Sequence, residues 1–259
     1  MEIWQAIVLG AVQGFTEFLP VSSSGHLILL QHWFGITEHT LFYSIVLHVG
    51  TLIPVIVVLW KDILDKFTKP ISKFGLWVLA SIPAGVMGIV LGFTVDLDAI
   101  FAEYIWLLAI TFMITAGLLL FSEQRCKKVK MLNGITVKTA LIMGAGQAFG
   151  VLPGISRSGA TLTAGNIANV ERKKNASFTF IMSIPIIVAA LCMEAVGIIR
   201  EGSLGTIDVL PLILGFVTSM VTGYIAIKFM LKIIQKANYK WFSLYLVLIS
   251  IATVVTAVI

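Results

Sequence analysis

Apolar runs of about 20 residues recur along almost the whole chain. Wound as a helix, a run of that length crosses about 30 Å of hydrocarbon. The polar gaps between runs are too short to hold a soluble domain. Charged residues make up 12% of the sequence, where a soluble domain carries about 25%. These features predict an all-α polytopic membrane protein, organised as one integral membrane domain over 1–259.

Six stretches read as full crossings: 41–60, 75–95, 103–122, 176–199, 209–231 and 241–259. Two others, 3–34 and 135–170, are apolar but broken midway by Pro, Gly, Ser and a charged residue. Backbone that leaves the helix at membrane depth is tolerated only where protein or a water-filled cavity surrounds it. Both are therefore expected to be re-entrant helix-break-helix hairpins. No basic stretch precedes the first hairpin, so no cleaved signal peptide is expected.

The net charge of +5 is informative through its placement and points to no nucleic acid. Nearly all of the 18 Lys and Arg residues fall in four segments: Lys61 to Lys73, Arg125 to Lys138, Arg172 to Lys174, and Lys228 to Lys240. Six crossings and two non-crossing hairpins put all four on one side. The other side carries Asp96, Asp98, Glu103, Glu201 and Asp208, with Arg200 as its cation. The excess of cations on cytoplasmic loops then predicts both termini outside. Cys126 and Cys192 match no metal or disulfide spacing.

The broken segments resemble each other. Gly10-Ala-Val-Gln-Gly-Phe-Thr-Glu-Phe-Leu-Pro20 aligns with Gly144-Ala-Gly-Gln-Ala-Phe-Gly-Val-Leu-Pro153, and Ser22-Ser-Ser-Gly25 with Ser156-Arg-Ser-Gly159. A weaker match joins Ile53-Pro54-Val55 to Ile184-Pro185-Ile186. The expectation is an inverted-topology internal repeat, repeat one over 1–122 and repeat two over 135–259. Each half has one hairpin and three crossings. Three is odd, so the hairpins enter from opposite faces and their tips can meet, a known way to build a membrane-depth site.

At the first tip, Gln13 and Glu17 lie about 6 Å apart along one helix face. Pro20 ends that helix, Ser22, Ser23, Ser24 and Gly25 form the break, and His26 opens the next helix. A helix beginning after such a turn aims free N–H groups at the break, a favourable seat for an anion. The second tip supplies Gly154, Ser156, Arg157, Ser158, Gly159 and Thr161. The guanidinium of Arg157 is a planar fork suited to phosphate oxygens. A charge at the centre of a membrane helix costs about 2.5–3.5 kcal/mol, and such groups are by default partnered and functional. The competing reading, a Glu17–Arg157 ion pair that merely locks the hairpins, gives no reason for the serines, threonine and histidine at the same tips. His48 and Glu194 are weaker intramembrane candidates, since a lone histidine in a helix is more often structural.

The run from Gln13 to His26 (QGFTEFLPVSSSGH) resembles the first signature of the BacA-type undecaprenyl-diphosphate phosphatases. The run from Pro153 to Thr161 (PGISRSGAT) resembles the second. The likeness covers the whole chain. It implies hydrolysis of undecaprenyl diphosphate to undecaprenyl phosphate, recycling of the cell-wall lipid carrier, and bacitracin resistance. It also implies a divalent cation, Mg²⁺ or Ca²⁺, and a bacterial plasma (inner) membrane setting with the active site facing the outer side. Membrane lipid is the expected surrounding, and a homodimer is an expected assembly. Many members carry Glu where this chain has Gln13, which leaves one carboxylate, Glu17, to hold the cation, with Gln13 as a second candidate ligand.

The expected roles follow. Arg157, Ser156, Ser158, Thr161, Gly154, Gly159 and the local amides hold the diphosphate, with Gln13, Ser22 and Ser24 on the facing tip. The attacking group is left among three: Ser23 activated by His26 or Glu17, His26 itself, and water activated by Glu17. A lipid-phosphate flippase or transporter would use the same kind of site. An acid-phosphatase-like lipid phosphatase needs a histidine downstream of its arginine, and no histidine follows Arg157.

Overall fold

A computed structural model of the chain describes residues 1–37, 40–68, 72–131, 133–201, 208–236 and 238–258. The side chains of Lys66, Lys69, Glu194, Arg200 and Glu201, part of the charge pattern above, lie outside the described residues. Twelve helices are described: α1 (Ile3–Phe18), α2 (Ser23–Trp33), α3 (Thr40–Val58), α4 (Trp60–Thr68), α5 (Ser72–Thr94), α6 (Leu97–Glu103), α7 (Trp106–Lys128), α8 (Val137–Phe149), α9 (Arg157–Ile167), α10 (Arg172–Glu201), α11 (Val209–Lys236) and α12 (Lys240–Val258). The described residues form no strand. A single bridge pairs Asn133 with Val170.

Five helices are long and apolar enough to cross a membrane, over Lys73–Gly92, Trp106–Lys128, Arg172–Met193, Val209–Ile234 and Lys240–Val258. The sixth expected crossing is α3, whose apolar stretch Phe42–Val58 is shorter. The span expected at 103–122 starts later, at Trp106. Residues ahead of it form the separate α6, capped by the Asp96 carboxylate, which accepts from the Ala99 N–H at 2.9 Å. The lysine-rich connection after α3 contains α4, whose sequence WKDILDKFT is amphipathic. Trp60 and Leu64, one turn apart on it, are exposed.

The two breaks follow from local chemistry. Pro20 forces its predecessor out of the helical region, and Leu19 is extended at φ −72°, ψ 143°. Ser22 then turns the chain with φ +69° and caps α2 by accepting from the Gly25 N–H. The second break ends in the same device: Ser156 caps α9 and accepts from the Gly159 N–H at 3.1 Å. Gly154 there has φ +81°, and a Cβ on it would lie 1.8 Å from Thr111 Oγ1. Only glycine meets both demands.

α1 and α2 form the first hairpin. They close at one end of the molecule, where Gln5 Nε2 donates to Phe34 O and Trp4 packs edge-on against Phe34. α8 and α9 form the second and close at the opposite end through the Asn133–Val170 bridge. Each hairpin lies tightly on a helix from the other half of the chain. A Cβ on Gly10 would meet Gly215 O of α11 at 2.4 Å, and one on Gly144 would meet Ala80 O of α5 at 2.5 Å. α7 and α12 run side by side, joined by Ser250 Oγ donating to Ala109 O at 2.8 Å. Between these layers sits the main core, with Phe18, Leu108, Phe112, Leu119, Phe180, Ile181, Met230 and Leu246 buried. The long helices turn large apolar side chains outward, among them Val86, Ile110, Ile213, Phe229 and Leu248. Outward apolar residues suit a lipid solvent, where burial in protein and contact with acyl chains are equally acceptable to Leu or Ile.

Candidate active site

The hairpin tips meet at one carboxylate. Glu17, in the last turn of α1, is 7% exposed. Its Oε1 accepts from the Arg157 guanidinium, at the first position of α9. Its Oε2 accepts from Ser23 Oγ at 2.7 Å and from Gln13 Nε2 at 3.1 Å. His48 Nε2 stands 3.5 Å from the same Oε2. Three donors on one carboxylate, with the His48 ring beside them, supply the partners that a charge out of water requires. A backbone link reinforces the junction, with Ser158 Oγ donating to Leu19 O at 3.2 Å.

Ser23 is half-buried and opens α2, where the helix N-terminus favours developing negative charge. Its hydroxyl already points at a base, the geometry a serine nucleophile needs. Arg157 presents its remaining N–H groups at the N-terminus of α9, beside Ser156 and Ser158, whose hydroxyls are 3.2 Å apart. A small cavity lined by Glu17, Phe18, Arg157, Ser158, Thr179, Phe180 and Ser183 adjoins the pair.

The other expected residues fall into supporting positions. Thr161 Oγ1 donates back to Arg157 O at 2.8 Å, inside its own helix. Ser22 and Ser156 act as helix caps, and Ser22 and Ser24 hydroxyls are 3.4 Å apart. Gly159 lies beside Pro20: a Cβ on it would be 3.3 Å from that ring. His26 is not brought to Ser23. Its Nδ1 donates to Ser22 O at 2.7 Å, which leaves Nε2 to accept from Tyr245 OH at 2.8 Å. The ring is stacked on Tyr245 at 5.6 Å and tilted against Phe112.

Two contributors, Thr115 and Tyr245, were not singled out from the sequence, and a third, His48, ranked there as a weaker candidate, is delivered to Glu17 by α3. Thr115 of α7 holds the second break: its hydroxyl accepts from Ser156 N–H and donates toward Gly154 O, each at 3.1 Å. Tyr245 positions His26 from 219 residues away. Each is a polar group on a largely apolar helix, and that was the only signal available.

Among the described residues, no group of three or more His, Cys, Asp or Glu side chains forms a metal cluster. One feature does suit a hard cation. Gln13 Oε1, buried beside Glu17, has no hydrogen-bond partner, and an amide oxygen next to a carboxylate is a donor set that Mg²⁺ or Ca²⁺ accepts.

Fold and site together define a multi-pass helical membrane protein with a buried serine–carboxylate–arginine site at the junction of two hairpins. The chain belongs to the bacitracin resistance protein BacA family, whose sequence model matches residues 6–252. It is 38% identical over 257 residues to the undecaprenyl-diphosphatase of Carboxydothermus hydrogenoformans, covering 98% of this chain and 97% of that protein. It is 36% identical over 268 residues to the undecaprenyl-diphosphatase of Bacteroides fragilis, covering 99% of each. It is 38% identical over 262 residues to that of Treponema denticola, covering 95% of this chain and 94% of that protein.

Proposed function

We propose that this protein hydrolyses undecaprenyl diphosphate to undecaprenyl phosphate and phosphate. The observation that carries the reading is the meeting of Glu17, Ser23 and Arg157 at the junction of the two hairpins. A base already bonded to a hydroxyl, opposite a guanidinium, is what phosphoryl transfer asks of a protein: positioning and charge stabilisation.

The steps are as follows. The terminal phosphate takes the guanidinium from Glu17 Oε1 and adds the hydroxyls of Ser156 and Ser158 and the α9 amides. Ser23 Oγ attacks the terminal phosphorus as its proton passes to Glu17 Oε2. The bond to the bridging oxygen breaks, and undecaprenyl phosphate leaves with that electron pair. Water then attacks the phosphoserine. Its hydroxyl stays on phosphorus, Ser23 takes back the proton from Glu17, and the remaining proton is released. His26, held by Tyr245, fixes the start of α2. Glu17 with Gln13 Oε1 would hold a divalent cation, Mg²⁺ or Ca²⁺, which when bound neutralises phosphate charge.

The site is read as facing the outer side of a bacterial plasma membrane, with both termini outside. The support is the cluster of cations at the ends of α7, α8, α10 and α12 that lie away from the first hairpin's base. The chain is read as a duplication over 1–122 and 135–259, supported by the matching serine caps and prolines. A homodimer belongs to the same reading, on the family likeness, and mass measurement in nanodiscs tests it.

The decisive experiment is phosphate release from undecaprenyl diphosphate by the purified protein, with and without chelator. Release that chelation abolishes is expected. Absence of release under both conditions overturns the reading. Phosphoryl label trapped on a residue other than Ser23 removes that serine from the nucleophile's role.

A further inference from the structure

The cavity beside Arg157 has a polar wall that the phosphate seat does not use. Thr179 and Ser183, one turn apart on α10, form that wall, and Glu17 and Arg157 complete the polar lining. Both hydroxyl residues are buried, at 3% and 8% exposed. Ser183 Oγ donates to Phe180 O at 2.7 Å. Thr179 Oγ1 donates to Asn175 Oδ1 at 3.4 Å. The Asn175 amide is held that way round, because its Nδ2 donates to Leu162 O and to Asn166 Oδ1, each at 2.9 Å. Each hydroxyl hydrogen is thus engaged within α10. What either hydroxyl offers the cavity is therefore an acceptor.

Size and chemistry together select the occupant. The cavity has a volume of about 10 Å³, room for about one water molecule. Phe18 and Phe180 wall it in, packed edge to face with ring centroids 5.6 Å apart. A phosphate group is too large, and its oxygens would meet acceptors. A bare cation would face the guanidinium of Arg157. A water donates to Thr179 and Ser183, and its lone pairs then point away from them, toward a phosphate held by Arg157. We propose that this cavity seats the water that attacks the phosphoserine, with Thr179 and Ser183 as the residues that hold it. In that step the water oxygen bonds to phosphorus. The bond to Ser23 Oγ breaks with its electron pair on Oγ, Oγ takes the proton from Glu17, and one water proton is released. The proposal rests on the reading of the chain as a phosphatase that works through phosphoserine.

The test gives undecaprenyl diphosphate, in buffer containing methanol, to the purified parent and to Thr179→Val, Thr179→Ser and Ser183→Ala. Valine keeps the shape of threonine and removes the hydroxyl. Rapid quenching of Thr179→Val should show undecaprenyl phosphate formed in the first turnover at the parental rate. Phosphate release should be about tenfold slower, for one hydrogen bond lost from the water, and phosphoserine should accumulate. Thr179→Ser should restore release to within a few-fold. A cavity of one water's size should exclude methanol, so the parent should form only a trace of methyl phosphate. Ser183→Ala widens the cavity and should raise that share several-fold. The proposal is overturned if Thr179→Val slows both steps equally, as a disturbed Arg157 would, or if it releases phosphate at the parental rate. It is overturned too if the parent forms as large a share of methyl phosphate as Ser183→Ala. If Thr179→Val does not fold, the methyl phosphate shares decide. They also decide if the parent releases phosphate without forming phosphoserine, which removes the serine reading alone. No phosphate from the parent overturns the phosphatase reading and the water seat with it, whereas an active parent with unmoved variants overturns the seat alone.

Discussion

The two hairpins are built alike and carry opposite chemistry. Each has a serine cap answered by a glycine N–H three residues on. Each packs its first helix closely on a helix of the other half. The first tip gathers acceptors and a hydroxyl: Glu17, Ser23 and the amide of Gln13. The second holds the cation. Gln147, which the sequence alignment sets opposite Gln13, has neither amide atom hydrogen-bonded, because Val151 stands one turn on where the first hairpin has Glu17. The hairpins also differ at their bases. The second is tied down by Arg125, which donates to Asn166 O, Ile167 O and Asn169 Oδ1 at 3.0–3.1 Å. Cations at a helix C-terminus are stabilising. The first is tied by the long contact from Gln5, by an aromatic pair, and by Trp33 Nε1, which donates to Thr256 Oγ1 at 2.9 Å. One backbone device thus mounts Arg157 at one tip and the Glu17–Ser23 pair at the other. The division of labour resides in a few side chains.

The sharpest way to break this comparison is at the cation. Arg157→Ala should lower phosphate release by 10³-fold or so, since a single preorganised donor is worth about 10²–10³ and here the charge goes as well. Folding, read by size exclusion and thermal melting, should survive. Activity near the parental level would refute the clamp. Ser23→Ala should cost somewhat less, roughly 10²-fold or more, and should abolish trapped phosphoserine. Gly154→Ala tests the second break: the positive φ and the approach to Thr111 should cost about 1–3 kcal/mol of stability, measured by denaturation in detergent. Tyr245→Phe, on the first hairpin's side, should cost about 1 kcal/mol and leave kcat within a few-fold. A tenfold fall in kcat would give His26 a more direct part.

The smallest effect concerns α6, which leans on α2. Burial, reinforced by Asp96, pushes the Asp98 carboxyl up to about 6 from 3.8. A raised folded value favours the protonated form, so this contribution to stability is complete below the unfolded value and is lost as pH rises through about 6. Asp98→Asn should flatten that segment of the stability–pH curve. An unchanged slope between pH 4 and about 7 would show that the fold does not hold Asp98 protonated.

Much of this was legible because membrane burial penalises polar groups so heavily that each one stands out. Pro20, Gly154, Glu17 and Arg157 are conspicuous in apolar sequence, and their clustering marked both breaks. Partnerships across distant helices were not legible. His26 could be paired with Ser23 by proximity in sequence, but the fold gives it Tyr245. His48 looked solitary because its partner is on α1. α4 was hidden because a short amphipathic helix and a lysine-rich connection have nearly the same composition, and α6 merged into the following apolar run.

The contact between Glu17 and Arg157 has a further consequence. The carboxylate acts as a tethered competitor, present at the guanidinium at high effective concentration whenever the seat is free. Stray inorganic phosphate must displace it unaided, whereas a lipid headgroup arrives with the added hold of its hydrocarbon tail. On the proposed hydrolysis, the same carboxylate recaptures the guanidinium after turnover and helps expel the product, so discrimination and release come from one side chain.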